Sequence, residues 1–385
     1  MRLAFASFGI ISPVVSVVIS VFMLGLASGS WAGGRAIAWL TERTGSSAIR
    51  FYAMTELVIG IGAVAVPGLF LFGASLLAEL GEANSVSYLA LSAVAIAIAI
   101  FPFCFAMGTT YPLVMAYVRE HRDADPKSFS HLYLANVLGA SLGALVTACV
   151  LVELVGFRHT LWFAGGLNLI IALAALALAR QAPEPQGAPV EAGPAPRGEG
   201  PVTPWAGAIL FTTGLASLAM EVIWTRAFVP VLGNEVYAFA MLLVTYLVAT
   251  WIGSWRYRAD LARGRIPSVA VLVALIAASA LIPAIVNDPR FVQSSDVGKY
   301  VALASIVPLC AILGYLTPRL IDDVSRGDPG LAGRAYALNV LGCIVGPLIA
   351  SYVLLPFCGA AHSLAILSVP LVAFVFVFRH ELAPA

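Results

Sequence analysis

The sequence predicts an all-α, polytopic membrane protein of about eleven transmembrane helices arranged as two parallel repeats. Two observations carry that reading. The chain is 61% hydrophobic and only 11% charged, with a mean hydropathy of +0.95, whereas soluble domains are roughly 45–50% apolar and about 25% charged. The second half also repeats the first at fixed spacing: Tyr133, Asn136, Val137, Leu138, Gly139, Gly143, Gly156 and His159 return 203 residues later as Tyr336, Asn339, Val340, Leu341, Gly342, Gly346, Gly359 and His362.

Apolar runs at 8–31, 51–78, 87–117, 132–154, 160–179, 204–228, 236–256, 266–286, 301–321, 331–355 and 363–378 each approach the ~20 residues that cross a bilayer. They divide into a first membrane half over 1–180, with five helices, and a second over 204–385, with six. Between them, 181–203 is rich in Pro, Gly and Ala with scattered Glu. It cannot bury enough apolar surface to fold and reads as a disordered linker.

Further blocks align the halves. Pro102, Cys104, Gly108 and Pro112 recur at an offset of 206 as Pro308, Cys310, Gly314 and Pro318. Arg2, Gly9, Gly29, Ser30 and Trp31 recur at 224 as Arg226, Gly233, Gly253, Ser254 and Trp255. Asn136 with Gly139 and Gly143, and Asn339 with Gly342 and Gly346, place an amide and two bare patches on one helix face, as do Gly25 and Gly29 without the amide. Such faces let a neighbouring helix approach closely, so these residues are expected to form packing seams rather than ligand sites. The paired prolines lie in or near apolar spans, where they free a carbonyl and bend a helix packed in protein.

Because Arg2 aligns with Arg226, at the outer end of the sixth span, the first half lacks a counterpart of that span. The expectation is a six-plus-six fold whose first helix is missing; the alternative is a protein that works with eleven. With alternating spans, Arg2, Arg158, Arg226, Arg290 and Lys299 fall on one side, against the remaining sixteen of the 21 Lys and Arg on the other. The richer side is cytoplasmic by the positive-inside rule. Linker and C-terminus are then inside a bacterial inner membrane and Met1 outside.

A six-plus-six parallel repeat with a cytoplasmic linker is the arrangement of major facilitator transporters. A narrower likeness rests on Glu221, Trp224 and Arg226, on the small-residue run from Gly25 to Gly29 ending near Arg35, on the Pro102 to Pro112 segment, and on the Tyr133, Asn136, Gly139 and Gly143 block. Together they resemble the membrane-spanning module of bacterial spermidine-synthase-like proteins, a facilitator-like region fused to a polyamine aminopropyltransferase domain. The resemblance covers nearly the whole chain, but the soluble catalytic domain is not in this sequence. It implies a link to polyamines and, as a partner, a separate aminopropyltransferase-like soluble protein. No catalytic residue of that family carries over, so this chain alone is not expected to be an enzyme.

Other chemistry is sparse. Gly60 and Gly62 lie inside a span with no acidic residue suitably downstream, and read as packing. Cys104, Cys149, Cys310, Cys343 and Cys358 lack C-x-x-C spacing and read as small buried hydrophobes. His159 and His362 sit beside Gly156 and Gly359 at outer span ends, where a polar contact is expected rather than a metal; His121, His131 and His380 form no ligand cluster. Asp322, Asp323 and Asp328 flank Arg319 and Arg326 and read as a solvated helix end. No metal or cofactor is expected, and a net charge of +1 gives no reason to expect nucleic acid.

The informative charges are inside the membrane. Glu221 lies about 17 residues into the sixth span, on the order of 25 Å along the helix. An ionised carboxylate in hydrocarbon costs a few kcal/mol, so it must face protein, water or a cation. Arg226 follows five residues on and could meet it only obliquely; Trp224 suits an interfacial aromatic. Glu56 lies near the start of the second span, where a helix N-terminus favours it. Glu153 and Glu235 fall close to the outer boundary. Glu221 and Glu56, with Arg226 and Trp224, are the candidate substrate-binding residues. The expected function is a carrier of a small solute such as a polyamine or related amine. The alternatives are a non-catalytic membrane module that docks or feeds an aminopropyltransferase, and one half of a split enzyme acting at the membrane.

Overall fold

The computed structural model describes residues 12–79, 85–121, 127–181, 202–232, 235–286 and 296–377. The expected linker lies, except for its first and last two residues, outside them, as do Arg2, Gly9, Gly233 and His380. The described residues form helices α1 (Ser12–Thr44), α2 (Ala48–Glu79), α3 (Ser85–His121), α4 (Ser128–Val146), α5 (Val152–Gln181), α6 (Pro204–Leu232), α7 (Glu235–Ala262), α8 (Val269–Ala280), α9 (Ile282–Val286), α10 (Asp296–Ser325), α11 (Pro329–Ile349) and α12 (Leu355–Val377). No strand occurs among them.

Eight stretches of these residues are long and apolar enough to span a membrane. Two of them, Ser128–Arg180 and Pro329–Phe374, run for 53 and 46 residues, on the order of 80 and 70 Å of helix against a ~30 Å hydrocarbon core, so each contains two crossings. α7, 28 residues long and on the order of 40 Å, is long enough to add one more, which gives eleven helical crossings among the described residues.

Both long stretches are interrupted in the same way. A π-helical turn at Thr147–Leu151 precedes Gly156, and one at Ala350–Leu354 precedes Gly359, again 203 residues on. Gly156 has φ 73° and ψ 173°, and Gly359 φ 69° and ψ 174°. That backbone region is open almost only to glycine. A repeated kink therefore has a repeated chemical cause. His159 and His362 sit just beyond, each imidazole Nδ1 paired with the carbonyl four residues back, Val155 at 2.9 Å and Cys358 at 3.2 Å.

The chain divides into two compact units that interleave in sequence. Unit 1 comprises Met1–Ser128, Val155–Val202 and Val324–Ile344, and unit 2 Phe129–Leu154, Thr203–Asp323 and Val345–Ala385. The units thus exchange two segments relative to the sequence repeats: 129–154 belongs with unit 2 and 324–344 with unit 1.

In unit 1, α1 crosses α3 at backbone contact. A Cβ on Gly29 would overlap the Phe105 carbonyl, one on Gly108 the Leu26 carbonyl, and one on Gly25 the Cys104 side chain. Val14, Phe70, Leu77, Ile96 and Ala99 pack into one core cluster, and Ile37, Ala48 and Leu113 into another. In unit 2, α7 crosses α10 the same way, with Gly253 against the Ala311 carbonyl and Gly314 against that of Thr250. These are the repeat equivalents of Gly29 and Gly108.

The asparagine-led seams differ between the copies. Gly342 and Gly346 are buried, Asn339 is half-buried, and Gly346 lies against the Leu215 carbonyl of α6. In the first copy Asn136, Gly139 and Gly143 are exposed, and a Cβ on either glycine would meet no described atom within 4 Å. The seam expected there is an open face, because no described helix lies where α6 lies in the second copy.

Gly346→Leu is therefore expected to cost about 1–3 kcal/mol or more through overpacking and to lower the yield of monodisperse protein on detergent gel filtration. Gly143→Leu should leave that yield unchanged.

Candidate functional site

The interior of unit 2 holds a polar group built from four helices. From α6, Glu221 is half-buried, and Ser217 lies one helical turn earlier on the same face. The Ser217 and Tyr246 hydroxyls are 3.1 Å apart, which ties α6 to α7. Tyr133 of α4 and Cys310 of α10 complete the group, Tyr133 interacting electrostatically with Tyr246, and Cys310 with Glu221. Beside it, the Thr250 hydroxyl donates to the Cys310 carbonyl at 3.5 Å. All of these residues belong to unit 2.

Glu221 has no ion pair or hydrogen bond among the described residues. Arg226, the sequence's nearest cation, is exposed and makes no ion pair to it. Trp224 corrects another expectation: it is 1% exposed, an interior residue of unit 2 and not an interfacial one. Its indole Nε1 is buried with no acceptor among the described residues. A half-buried carboxylate without a counter-charge among the described residues, one turn from the Ser217 hydroxyl, can receive a cation or a proton.

Glu56 lies apart from this group, in unit 1. It is 6% exposed on α2, and its hydrogen-bonding neighbour is Tyr52, one turn earlier. Among the described residues, Tyr52 is the one polar side chain placed against this carboxyl. No group of three His, Cys, Asp or Glu suited to a metal occurs among the described residues.

A second network in unit 2 escaped the sequence reading. Asp322 is fully buried and accepts hydrogen bonds from the Ser130 backbone N–H at 3.2 Å and the Tyr257 hydroxyl at 3.2 Å. The Tyr257 and Tyr315 rings meet edge to face at 5.3 Å, and Tyr315 donates to Asp260 at 3.4 Å. Arg256 pairs with Asp260 at 3.0 Å, and Arg258 donates to the Ser130 hydroxyl at 3.0 Å. Asp322 is thus a structural acceptor joining α4, α7 and α10, where a solvated residue was expected. Asp323, 45% exposed and 3.6 Å from Arg319, does match a solvated end. Asp328, in unit 1, caps α11 by accepting from the Leu331 N–H at 2.8 Å and pairs with Arg119 at 3.3 Å.

No family model matches the chain, and no curated protein sequence does. Solved structures match along its whole length. The major facilitator superfamily proton:xylose symporter XylE superposes with a TM-score of 0.62 at 14% identity, covering 99% of this chain and 90% of that one. The fold is major-facilitator-like. A bacterial homologue of the iron transporter ferroportin, in an outward-facing state, gives 0.62 at 16% identity over 98% of this chain and 92% of its own. The nucleoside transporter NupG gives 0.60 at 13% over 100% and 93%. The chain is therefore a multi-pass, all-α membrane protein whose fold these transporters share, and likeness at this identity speaks for the fold alone.

Replacing Asp322 with Ala should orphan two buried donors, at about 1–3 kcal/mol each, and lower the detergent-solubilised melting temperature clearly. Asp323→Asn should leave it within error, as exposed pairs contribute roughly 0–1 kcal/mol.

Proposed function

We propose that this protein is a facilitator-like carrier of a small cationic solute, a polyamine or related amine, across the bacterial inner membrane. The observation that carries the reading is Glu221: a half-buried carboxylate with no ion pair or hydrogen bond among the described residues, one helical turn from Ser217, whose hydroxyl meets that of Tyr246, and on the same helix as Trp224, whose buried indole N–H has no acceptor among those residues. A primary or secondary ammonium supplies both the missing charge and N–H donors for the phenol and serine oxygens. Trp224 and the tyrosines offer π-faces to the methylene chain and the cation. Solved structures of the same fold include a sugar symporter and a nucleoside transporter, which supports carriage in general and leaves the amine to the site's chemistry.

On this reading the linker and C-terminus are cytoplasmic, by the distribution of Lys and Arg. Glu56, buried beside Tyr52 in unit 1 and apart from the Glu221 group, is assigned a structural part. A second reading, a non-catalytic membrane module feeding a separate aminopropyltransferase-like protein, rests on the sequence resemblance, and co-purification of such a partner would favour it.

Purified protein in liposomes should exchange labelled spermidine or putrescine for internal unlabelled amine. Glu221→Gln should reduce that exchange roughly tenfold or more, the loss expected for a charge-assisted contact of about 1.5–3 kcal/mol. Tyr246→Phe should reduce it less and Glu56→Gln least. Exchange no faster than in empty liposomes, or an unchanged Glu221→Gln variant, would sink the proposal.

A further inference from the structure

Unit 1 carries an apolar groove with a cationic end that the carrier reading does not use. Helices α1 and α11 lie antiparallel along it, since the Ser30 hydroxyl donates to the Gly333 carbonyl and the Ser20 hydroxyl to that of Ile344, both at 3.4 Å. Ala27, Ala337 and Val340 form the buried floor of that contact. Small residues keep the two backbones near each other, and larger side chains rise on either side. Leu24 is 44% and Leu341 40% exposed. Between them runs an open groove of about 480 Å³, closed at one end by Trp31 and Arg334. From Leu24 to Trp31, and from Arg334 to Leu341, is on the order of 10 Å of helix.

Among the described residues the groove's charge is uncompensated. Arg334 makes no ion pair or hydrogen bond among the described residues. One turn beyond Trp31, Arg35 stacks on its ring with the guanidinium 5.0 Å from the centroid, and it too lacks an ion pair there. The acidic residue that opens α11, Asp328, is occupied by Arg119 and the Leu331 N–H. Two guanidiniums and an amphipathic indole therefore stand at one end of an apolar trough, with no anion paired to either guanidinium among the described residues.

We infer that this groove binds one anionic phospholipid, its acyl chain along Leu24, Ala27 and Leu341 and its phosphate at Arg334 and Arg35. The pattern fits because guanidinium forks match phosphate oxygens, tryptophan settles at headgroup depth, and basic pockets between helices on the cytoplasmic side select anionic headgroups. Arg334 and Arg35 lie on the side that the Lys and Arg distribution makes cytoplasmic. Along the trough only the Ser28 hydroxyl is polar, and it already donates to the Leu24 carbonyl at 2.6 Å; a neutral lipid would leave both guanidiniums unpaired.

The test is native mass spectrometry of the full chain, delipidated in detergent and given equimolar phosphatidylglycerol and phosphatidylcholine. Wild type should retain one phosphatidylglycerol with roughly tenfold preference, about 1.4 kcal/mol, and Arg334→Gln/Arg35→Gln should bring the ratio to parity. Arg43→Gln should keep the preference, because Arg43 stacks on Trp39 at 5.1 Å and Trp39 does not line this groove, whereas Trp31, on which Arg35 stacks, does. Phosphatidylglycerol brominated on its acyl chain should quench a tryptophan component that Trp31→Phe removes. Equal retention of the two lipids by wild type, an unchanged double variant, quenching indifferent to Trp31→Phe, or displacement of the lipid by inorganic phosphate would each overturn the inference.

Discussion

Everything in the two units hangs on helices that touch backbone to backbone. At Gly29 and Gly108, and again at Gly253 and Gly314, the space a methyl group would fill is taken by a neighbour's carbonyl. Helices in lipid have no hydrophobic gain to draw them together, because hydrocarbon surrounds them already. Dispersion between close surfaces and the occasional hydroxyl contact must supply the attraction, and both fall off steeply with distance. Ser254, donating to the Gly314 carbonyl at 2.8 Å, shows how the crossing also becomes a hydrogen-bonding site once the backbones are near. Its repeat counterpart Ser30 reaches instead to Gly333 of α11. Two copies of one crossing thus diverge in the partner that their serine selects.

That tight frame lets polar residues persist in an apolar interior. Ser217 and Tyr246 bridge α6 and α7 near the α7–α10 crossing, and Glu221 sits one turn from Ser217. At the far ends of α7 and α10, Asp322, Tyr257, Tyr315 and Asp260 interlock and fix how those helices meet α4. Unit 2 therefore has a satisfied polar network at one end and an unsatisfied carboxylate deeper in. The first gives rigidity. The second, which has no partner among the described residues, is costly in hydrocarbon unless it is paired or protonated.

Much of this was readable from residues alone, for definite reasons. Two-copy spacing exposed the crossing glycines, since a repeat preserves what packing demands; it also exposed Gly156 and Gly359, whose conformation explains their recurrence. Glu221 stood out because a charge in an apolar run has few bland explanations. Its companions did not, because Tyr246, Tyr133 and Cys310 reach it from separate helices and no local spacing announces them; Ser217, four residues before, was the one local clue. The Asp322 reading failed for a geometric reason: Asp322 and Asp323 are neighbours in sequence but about 100° apart around a helix. Arg319, four residues before Asp323, claims the outer one, leaving Asp322 to point inward. Trp224 was read by its distance from a span end, although burial depends on which face it occupies. The open face at Gly139 and Gly143 could not be read at all, because a seam motif records a capacity to pack and is silent on whether a partner is at hand.

The glycine kink at Gly359 bears on how the protein enters the membrane during synthesis. Pro329–Phe374 holds two crossings, and from Leu355 to Leu371 no residue carries a charge. A translocon sorting one segment at a time normally finds a hydrophilic loop between neighbours, and charged flanks that tell it which way each should face. Here it meets neither. The two crossings leave the ribosome as a single greasy length with one non-helical residue in it, so they partition into lipid as a pair. The charges able to orient the pair lie outside it, Arg334 before and Arg379 after.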